Sequence, residues 1–304
     1  MKLNIILSGK SDLLQPLTCT RKIFGCPVGT STLGAEIGKR LSRILKQQSE
    51  GANDGRVLSA LEDFWPSEGL IEDICGVKKD VVVYYGDKKE IVMWIGKGQE
   101  VPEGAEWIQA DSKSLLIRAP WHLLSINEDI IGSIGRTVIN GEVRDGVTID
   151  GEIIVGRGTV ILPGVYIEGN VVFGENCKIG PNCYFRGSTL VGNKCHVGQS
   201  VEVKNSILMD KVSAGHLSYI GDSIIGSGTN LGAGTITANF RHDGKSHRSM
   251  LDGVLVDTGR RKLGAIIGDN VHTGIHTSIY PGRKIWPEMT TRPGDIVIKD
   301  LKPQ

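Results

Sequence analysis

The chain has 304 residues and a formal net charge of +1, so no global basic field marks it for nucleic acid and no acidic excess marks a solvating tail. Its 41 glycines and 5% aromatic content suit many tight turns around a narrow interior. "MKLNIILSGK" is too short and too weakly charged for a signal peptide, and no apolar run reaches membrane-spanning length, so a soluble, cytoplasmic protein is expected.

The first third reads as an α/β segment. "LNIIL" and "VVVYYG" are strand-like, and "LGAEIGKRLSRILKQ" carries helical apolar spacing at Leu33, Ile37, Leu41 and Ile44. "PWHLLSINEDII" predicts a helix starting near Pro120, where a proline is well tolerated. The expected organisation is an α/β domain over 1–118, a linker helix and first coil over 119–146, and a repeat domain over 147–304.

From Val155 an apolar residue falls at every sixth position: Ile161, Ile167, Phe173, Ile179, Phe185, Val191, Val197, Val203 and Met209. Four places after each lies a small or β-branched residue, from Thr159 through Cys177, Cys183 and Cys195 to Ile207 and Ser213. This hexapeptide rhythm is the signature of a parallel β-helix. Three units close one coil, so residues eighteen apart should stack at the strand spacing of about 4.8 Å. Cys177, Cys183 and Cys195 are thereby expected to be small core residues, and no cysteine pair has zinc spacing.

The rhythm breaks twice. Between Met209 and Tyr219 the step is ten, which reads as a four-residue insertion carrying His216 off the prism. The count resumes through Ile225, Leu231 and Thr237, then "NFRHDGKSHRSMLDGVLVDTGRRKLG" intervenes before Ile267. Loops leaving a rigid solenoid tend to carry function, because the scaffold fixes their bases. His272 and His276 are four apart, a spacing that does not converge on β segments, so no metal site is expected there.

"GHLSYIGDSIIGSGTNLGAGTITANFRHDGK" resembles the acetyltransferase part of the bifunctional N-acetylglucosamine-1-phosphate uridyltransferase/glucosamine-1-phosphate acetyltransferases. "KNSI" and "VDTGRRKLGAIIGDNVHTGIHTSIYPG" look most like the archaeal-type branch, and the likeness runs from about residue 119 to 285. The resemblance implies a left-handed β-helix, a homotrimer, and acetyl-CoA bound between subunits. It implies His216 as catalytic base and Tyr219 and Asn230 as sugar contacts. Arg186 and Lys204 match its phosphate-binding cations, Asn239 and Lys245 two further site positions, and Ala233 a backbone contact to the acyl donor. A tyrosine that usually follows the asparagine is Phe240 here, and a serine at the acetyl-CoA is Ile275.

The chemistry asks for these residue types. Acetyl transfer to an amine needs a base to take a proton, and histidine titrates in the right range. The oxyanion of the tetrahedral intermediate wants a fixed donor such as Asn239 or a loop amide. A sugar phosphate wants cations, and Arg186 and Lys204, eighteen apart, should stack on one face. "TGRRK" adds Arg260 and Arg261 as candidates for the coenzyme phosphates.

"IILSGKSDLLQPLTCTRKIFGCPV" is similar to the family's nucleotidyltransferase opening, retaining Gly9, Lys10, Pro16, Leu17, Thr18, Arg21, Pro27 and Val28. The second loop glycine is Ser11, the catalytic arginine position is Leu13, and Asp12 adds negative charge beside the phosphate position. A metal-binding role for Asp87 is disfavoured against a plain turn, and a reduced domain without pyrophosphorylase activity is expected. Arg283 falls on an inward repeat position, so it should either turn outward or meet a carboxylate, and Trp286 replaces a glycine. The leading expectation is N-acetylation of an amino-sugar 1-phosphate, most simply glucosamine 1-phosphate, by acetyl-CoA. The alternatives are a sugar-1-phosphate nucleotidyltransferase and a non-catalytic sugar-phosphate-binding trimer.

Overall fold

The computed structural model describes residues 1–49 and 55–303. It divides into two compact units, one of residues 1–11, 23–25 and 32–118, the other of 12–22, 26–31 and 119–304.

The first unit is a five-stranded mixed sheet in the order Lys2–Ile6, Arg56–Leu61, Glu90–Lys97, Val81–Tyr85, Glu106–Gln109. The helices α1 (Leu33–Ser49) and α2 (Glu68–Cys75) pack on each other. Leu33, Ile37, Leu41 and Ile44 are fully buried on α1, as their spacing predicts. Ser67 caps α2 by accepting the amide of Leu70 at 2.9 Å. In the loop after the first strand, Glu62 accepts both the amide (3.1 Å) and the hydroxyl (3.4 Å) of Ser8.

The second unit is a parallel β-helix of three sheets with eight, six and eight strands, beginning at Val138–Ile139. The inward row is apolar from Val155 to Val203 at six-residue steps, and Cys177, Cys183 and Cys195 lie buried in that core as free thiols. Helix α3 (His122–Gly132) packs against the strand Thr189–Val191. Along that eight-stranded face one outward row is also buried. Register partners Val172, Leu190, Ile207, Ile224 and Ile266 run in line and end at Lys284. Such a row stays dry only under a cover.

The break near His216 is not an insertion. The inward row runs Val203, Leu208, Ala214, Ile220, Ile225, Leu231, so two steps shrink to five residues. Pairings such as Gln199 with His216 and Glu202 with Tyr219 are therefore seventeen residues apart, and the coil ladder continues without interruption. Met209 and Tyr219 are consequently not on the inward row, as the six-step count had them. Leu208 and Ile220 take those places, because one residue deleted at a corner shifts the phase without opening the prism. His216 ends a regular strand, Ser213–His216, rather than rising on a loop.

The second break is an excursion. Residues 240–263 leave the solenoid and form the antiparallel hairpin Arg248–Leu251 with Val254–Asp257. Arg283 takes the outward alternative: its Nε donates to the carbonyl of Pro281 (3.2 Å) and its Nη2 to that of Arg248 (3.1 Å). The buried cation is its neighbour Lys284, 3% exposed, with its ammonium 5.7 Å from the Trp121 ring centroid. Trp286 packs under the Lys302 ammonium at 4.4 Å.

Candidate active site

Alternation along short strands puts Tyr184 and Arg186, then Glu202 and Lys204, on the outside of one face while Phe185 and Val203 fill the core. Arg186 and Lys204 are register partners. Stacked like charges a strand apart repel, and each cation has its own carboxylate. Arg186 donates to Glu202 Oε1 through Nε (2.8 Å), and Lys204 Nζ lies 2.8 Å from Asp222 Oδ2.

Asp222 is the hub of this face. It is 2% exposed, and its carboxylate accepts from Lys204, from Asn239 Nδ2 (2.6 Å) and from Asn205 Nδ2 (3.1 Å). Burying a carboxylate is tolerable only when several donors meet it. Asn239 Nδ2 also donates to the Tyr219 hydroxyl at 2.9 Å. Both of its amide protons are therefore engaged, so Asn239 as placed braces Tyr219 and Asp222 and presents no free oxyanion donor, contrary to the expectation for it. Burial, followed by the charges of Glu202 and Asp222, pushes the Tyr219 phenol above its ordinary value, so Tyr219 is a neutral hydroxyl.

The next position in the Arg186–Lys204 row is Gly221. A Cβ there would stand 2.5 Å from the Tyr219 hydroxyl and 2.6 Å from Asn239 Nδ2. The glycine is the opening through which the tyrosine and asparagine meet.

His216 is exposed at the edge where the six-stranded face turns into this one. Its carbonyl accepts from Ser218 Oγ (2.9 Å) and from the amide of Gly234 (3.2 Å), which fixes the backbone while the ring makes no hydrogen bond among the described residues. The turn itself is strained: Leu217 has φ +52 and is 64% exposed. A bulky residue in the left-handed region costs on the order of 1 kcal/mol or more. Asn230 is exposed on the adjoining face, paired with Ser213 and bridged to His272. Ala233 lies at the next corner, its carbonyl accepting from the amide of His276 at 2.8 Å.

The structure thus joins Lys204, Asn239 and Tyr219 in one network through Asp222, stacks the Arg186–Glu202 pair beside it, and sets His216, Asn230 and Ala233 around the neighbouring edge. Lys245 is exposed in the excursion, its amide on Asp243. Arg261 is exposed, its Nε donating to the carbonyl of Gly244. Arg260 departs from its expected role on coenzyme phosphates. Its guanidinium is bound by Glu128 of α3 and by Ser125 Oγ at 3.0 Å, which leaves it a brace.

Sequence reasoning missed Glu202, Asp222, Asn205, Glu128 and His247. Glu128 joins Arg260 to Asn205 (2.6 Å) and so to Asp222. His247, buried and held below its ordinary basicity by that burial, bonds the Asn239 carbonyl at 2.8 Å through Nε2. The signal for Asp222 lay in the "YIGD" of the motif itself, where the polar residue follows a glycine whose space is already filled.

The Arg186–Lys204 face lies within residues 167–288, which match the model of the GMPPB C-terminal domain. The bifunctional sugar-1-phosphate nucleotidylyltransferase/acetyltransferase of Sulfurisphaera tokodaii is 41% identical over 185 residues, 61% of this chain and 46% of that protein. The bifunctional protein GlmU of Methanococcus maripaludis strain C7 is 56% identical over 166 residues, 55% of this chain and 40% of the relative. That of Methanocaldococcus jannaschii is 44% identical, again over 55% of this chain and 40% of the relative. The chain is homologous to these archaeal bifunctional proteins over more than half its length, and each match spans less than half of the relative.

Proposed function

We propose that the β-helical unit transfers an acetyl group from acetyl-CoA to the amine of an amino-sugar 1-phosphate, most simply glucosamine 1-phosphate. The observation that carries this reading is the register pair Arg186 and Lys204 beside the Tyr219–Asn239–Asp222 network, with an unencumbered His216 ring three residues from Tyr219. The phosphate draws the two cations from Glu202 and Asp222, and Tyr219 and Asn230 orient the sugar. The amine nitrogen attacks the thioester carbonyl carbon and the carbon–sulfur bond breaks. His216 takes the proton that the nitrogen sheds, and coenzyme A leaves as the thiol after protonation. Loop amides around Ala233 face the donor, and Arg261 and Lys245 supply positive charge near it. A homotrimer with the donor held between subunits is part of the proposal, as the homology implies.

Nucleotidyl transfer is left out. Glu62 accepts the amide of Ser8 beside the altered Gly9–Ser11 loop, and Arg21 is bound to Asp269 at 2.6 Å within the β-helical unit. Position 13 is leucine where a cation is needed.

The test is thiol release from acetyl-CoA with a panel of amino-sugar phosphates. Transfer to glucosamine 1-phosphate is expected, and His216→Ala should lower kcat by about a hundredfold to ten-thousandfold with the fold intact. Sugar-phosphate binding without turnover would establish the non-catalytic reading instead, and a His216→Ala variant at full rate would remove the assigned base.

A further inference from the structure

Both ends of the excursion are tied to the Asp222 hub. At its entry, Asn239 Nδ2 donates to Asp222 Oδ2 at 2.6 Å, and the Asn239 carbonyl accepts from the Leu263 amide (3.1 Å) and from His247 Nε2 (2.8 Å). The His247 amide donates to the Arg260 carbonyl at 2.8 Å. The Arg260 guanidinium binds Glu128 of α3, and Glu128 Oε1 accepts from Asn205 Nδ2 at 2.6 Å. Asn205 Nδ2 then donates to Asp222 Oδ1 at 3.1 Å. The line of bonds therefore closes on itself, from Asp222 through Asn239, His247, Arg260, Glu128 and Asn205 back to Asp222.

Each link suits its place. The carboxylates of Glu128 and Asp222 would repel if they met, and the Asn205 amide stands between them with one proton for each. The cations lie outside, Arg260 beyond Glu128 and Lys204 beyond Asp222. Lys204 and Asn205 are consecutive, yet both reach the same carboxylate, one to each oxygen. The backbone of Asn205 is left-handed there (φ +48), a conformation asparagine tolerates. That clamp matters when a ligand arrives. A phosphate that draws Lys204 away removes the cation from Asp222, a carboxylate 2% exposed. The amides of Asn205 and Asn239 remain on it, and Asn205 is itself aimed by Glu128.

We propose that Glu128 and Asn205 are positioning residues for the acceptor: through Asp222 they fix Tyr219 and Lys204, and through Arg260 they tie that placement to the seating of the excursion. The kinetic role rests on the acetyltransferase reading, whereas the linkage itself does not.

The experiment takes initial rates and melting of the full chain in Glu128→Ala, Glu128→Gln and Asn205→Gly. Glu128→Ala should raise KM for the amino-sugar phosphate about tenfold, the scale of one charge-assisted hydrogen bond, and leave KM for acetyl-CoA at its wild-type value. A residue that merely steadied the excursion would move KM for acetyl-CoA instead. Glu128→Gln keeps an oxygen for Asn205 but no charge for Arg260. It should bring KM for the acceptor back to within about twofold of the wild type while the melting temperature stays low. Asn205→Gly removes the amide, keeps the left-handed turn and should match Glu128→Ala, and the two together should add nothing further. An unchanged KM for the acceptor in Glu128→Ala, or a change confined to acetyl-CoA, overturns the positioning role. Melting of Glu128→Ala, Asp222→Asn and their double variant tests the linkage without substrate. The double variant should fall by less than the sum of the single falls, because both changes act on Asn205, and additive falls overturn the linkage. A wild type that transfers acetyl to no amino-sugar phosphate removes the transferase reading and the kinetic role with it, and the melting series still decides the linkage.

Discussion

Gly221→Ala adds one methyl group where the structure has no room for it. The new carbon would lie 2.5 Å from the Tyr219 hydroxyl, 2.6 Å from Asn239 Nδ2 and 2.7 Å from Tyr219 Cζ. Ordinary contacts need almost an ångström more, and the strand beneath is held by its ladder, so the tyrosine ring and the asparagine amide must part. Two hydrogen bonds are at stake, 2.9 Å to Tyr219 and 2.6 Å to Asp222. At about 1 kcal/mol net each, the loss is about 2 kcal/mol. That is a fall of about 5 °C in melting temperature for a unit of this size. If these groups hold the sugar, it is also about a thirtyfold loss in kcat/KM. Melting followed by circular dichroism and thiol release measure the two. Gly215→Ala is the control, since a Cβ there meets nothing within 4 Å, and its melting temperature should stay at the wild-type value. A Gly221→Ala protein that melts and turns over like the wild type would refute the closed network.

Asp222→Asn keeps the shape of the hub but places an amide donor against Lys204 or Asn239; melting should fall and kcat should drop about tenfold or more. Lys204→Ala should raise KM for the sugar phosphate about tenfold while leaving KM for acetyl-CoA near its original value, as initial rates at varied concentrations of each will show. Burial lowers Lys284 from 10.5 to about 8, so its charge is carried at full cost below that pH. Between about pH 8 and 10.5 the unfolded chain binds the extra proton, and this group's contribution to stability rises by about 3 kcal/mol; urea titrations should show the rise in the wild type and its absence in Lys284→Met.

The solenoid was legible because its constraint repeats. An inward residue too polar or too large disturbs the coils stacked on it, so the period is written many times over and nine positions in a row agree from Val155 to Val203. The phase beyond Val203 was not, because counting by sixes steps past a five-residue step whenever the residue beside the inward one happens to be apolar or aromatic, so the twelve residues from Leu208 to Ile220 read as ten from Met209 to Tyr219. Met209 is such a residue, buried beside Arg21 (Sδ 3.0 Å from its Nη1) rather than in the prism. Arg21 itself shows the other limit. Its motif is similar to a nucleotidyltransferase opening, yet its charge answers Asp269, almost 250 positions away, and only the fold brings those two together. The candidate site divides in the same manner. Its cations and tyrosine lie on strands whose alternation the sequence displays, whereas the carboxylates Glu202 and Asp222 read as surface charges until register sets each beside its cation. His216 keeps its candidacy on different grounds from the supposed loop. A single shortened coil, with its five-residue step from Val203 to Leu208, brings it flush with Gln199 at the end of a strand, and the left-handed Leu217 turns the chain sharply from there into Tyr219. A histidine on a laddered strand is held more exactingly than one on a loop, which is what proton transfer to a fixed base requires.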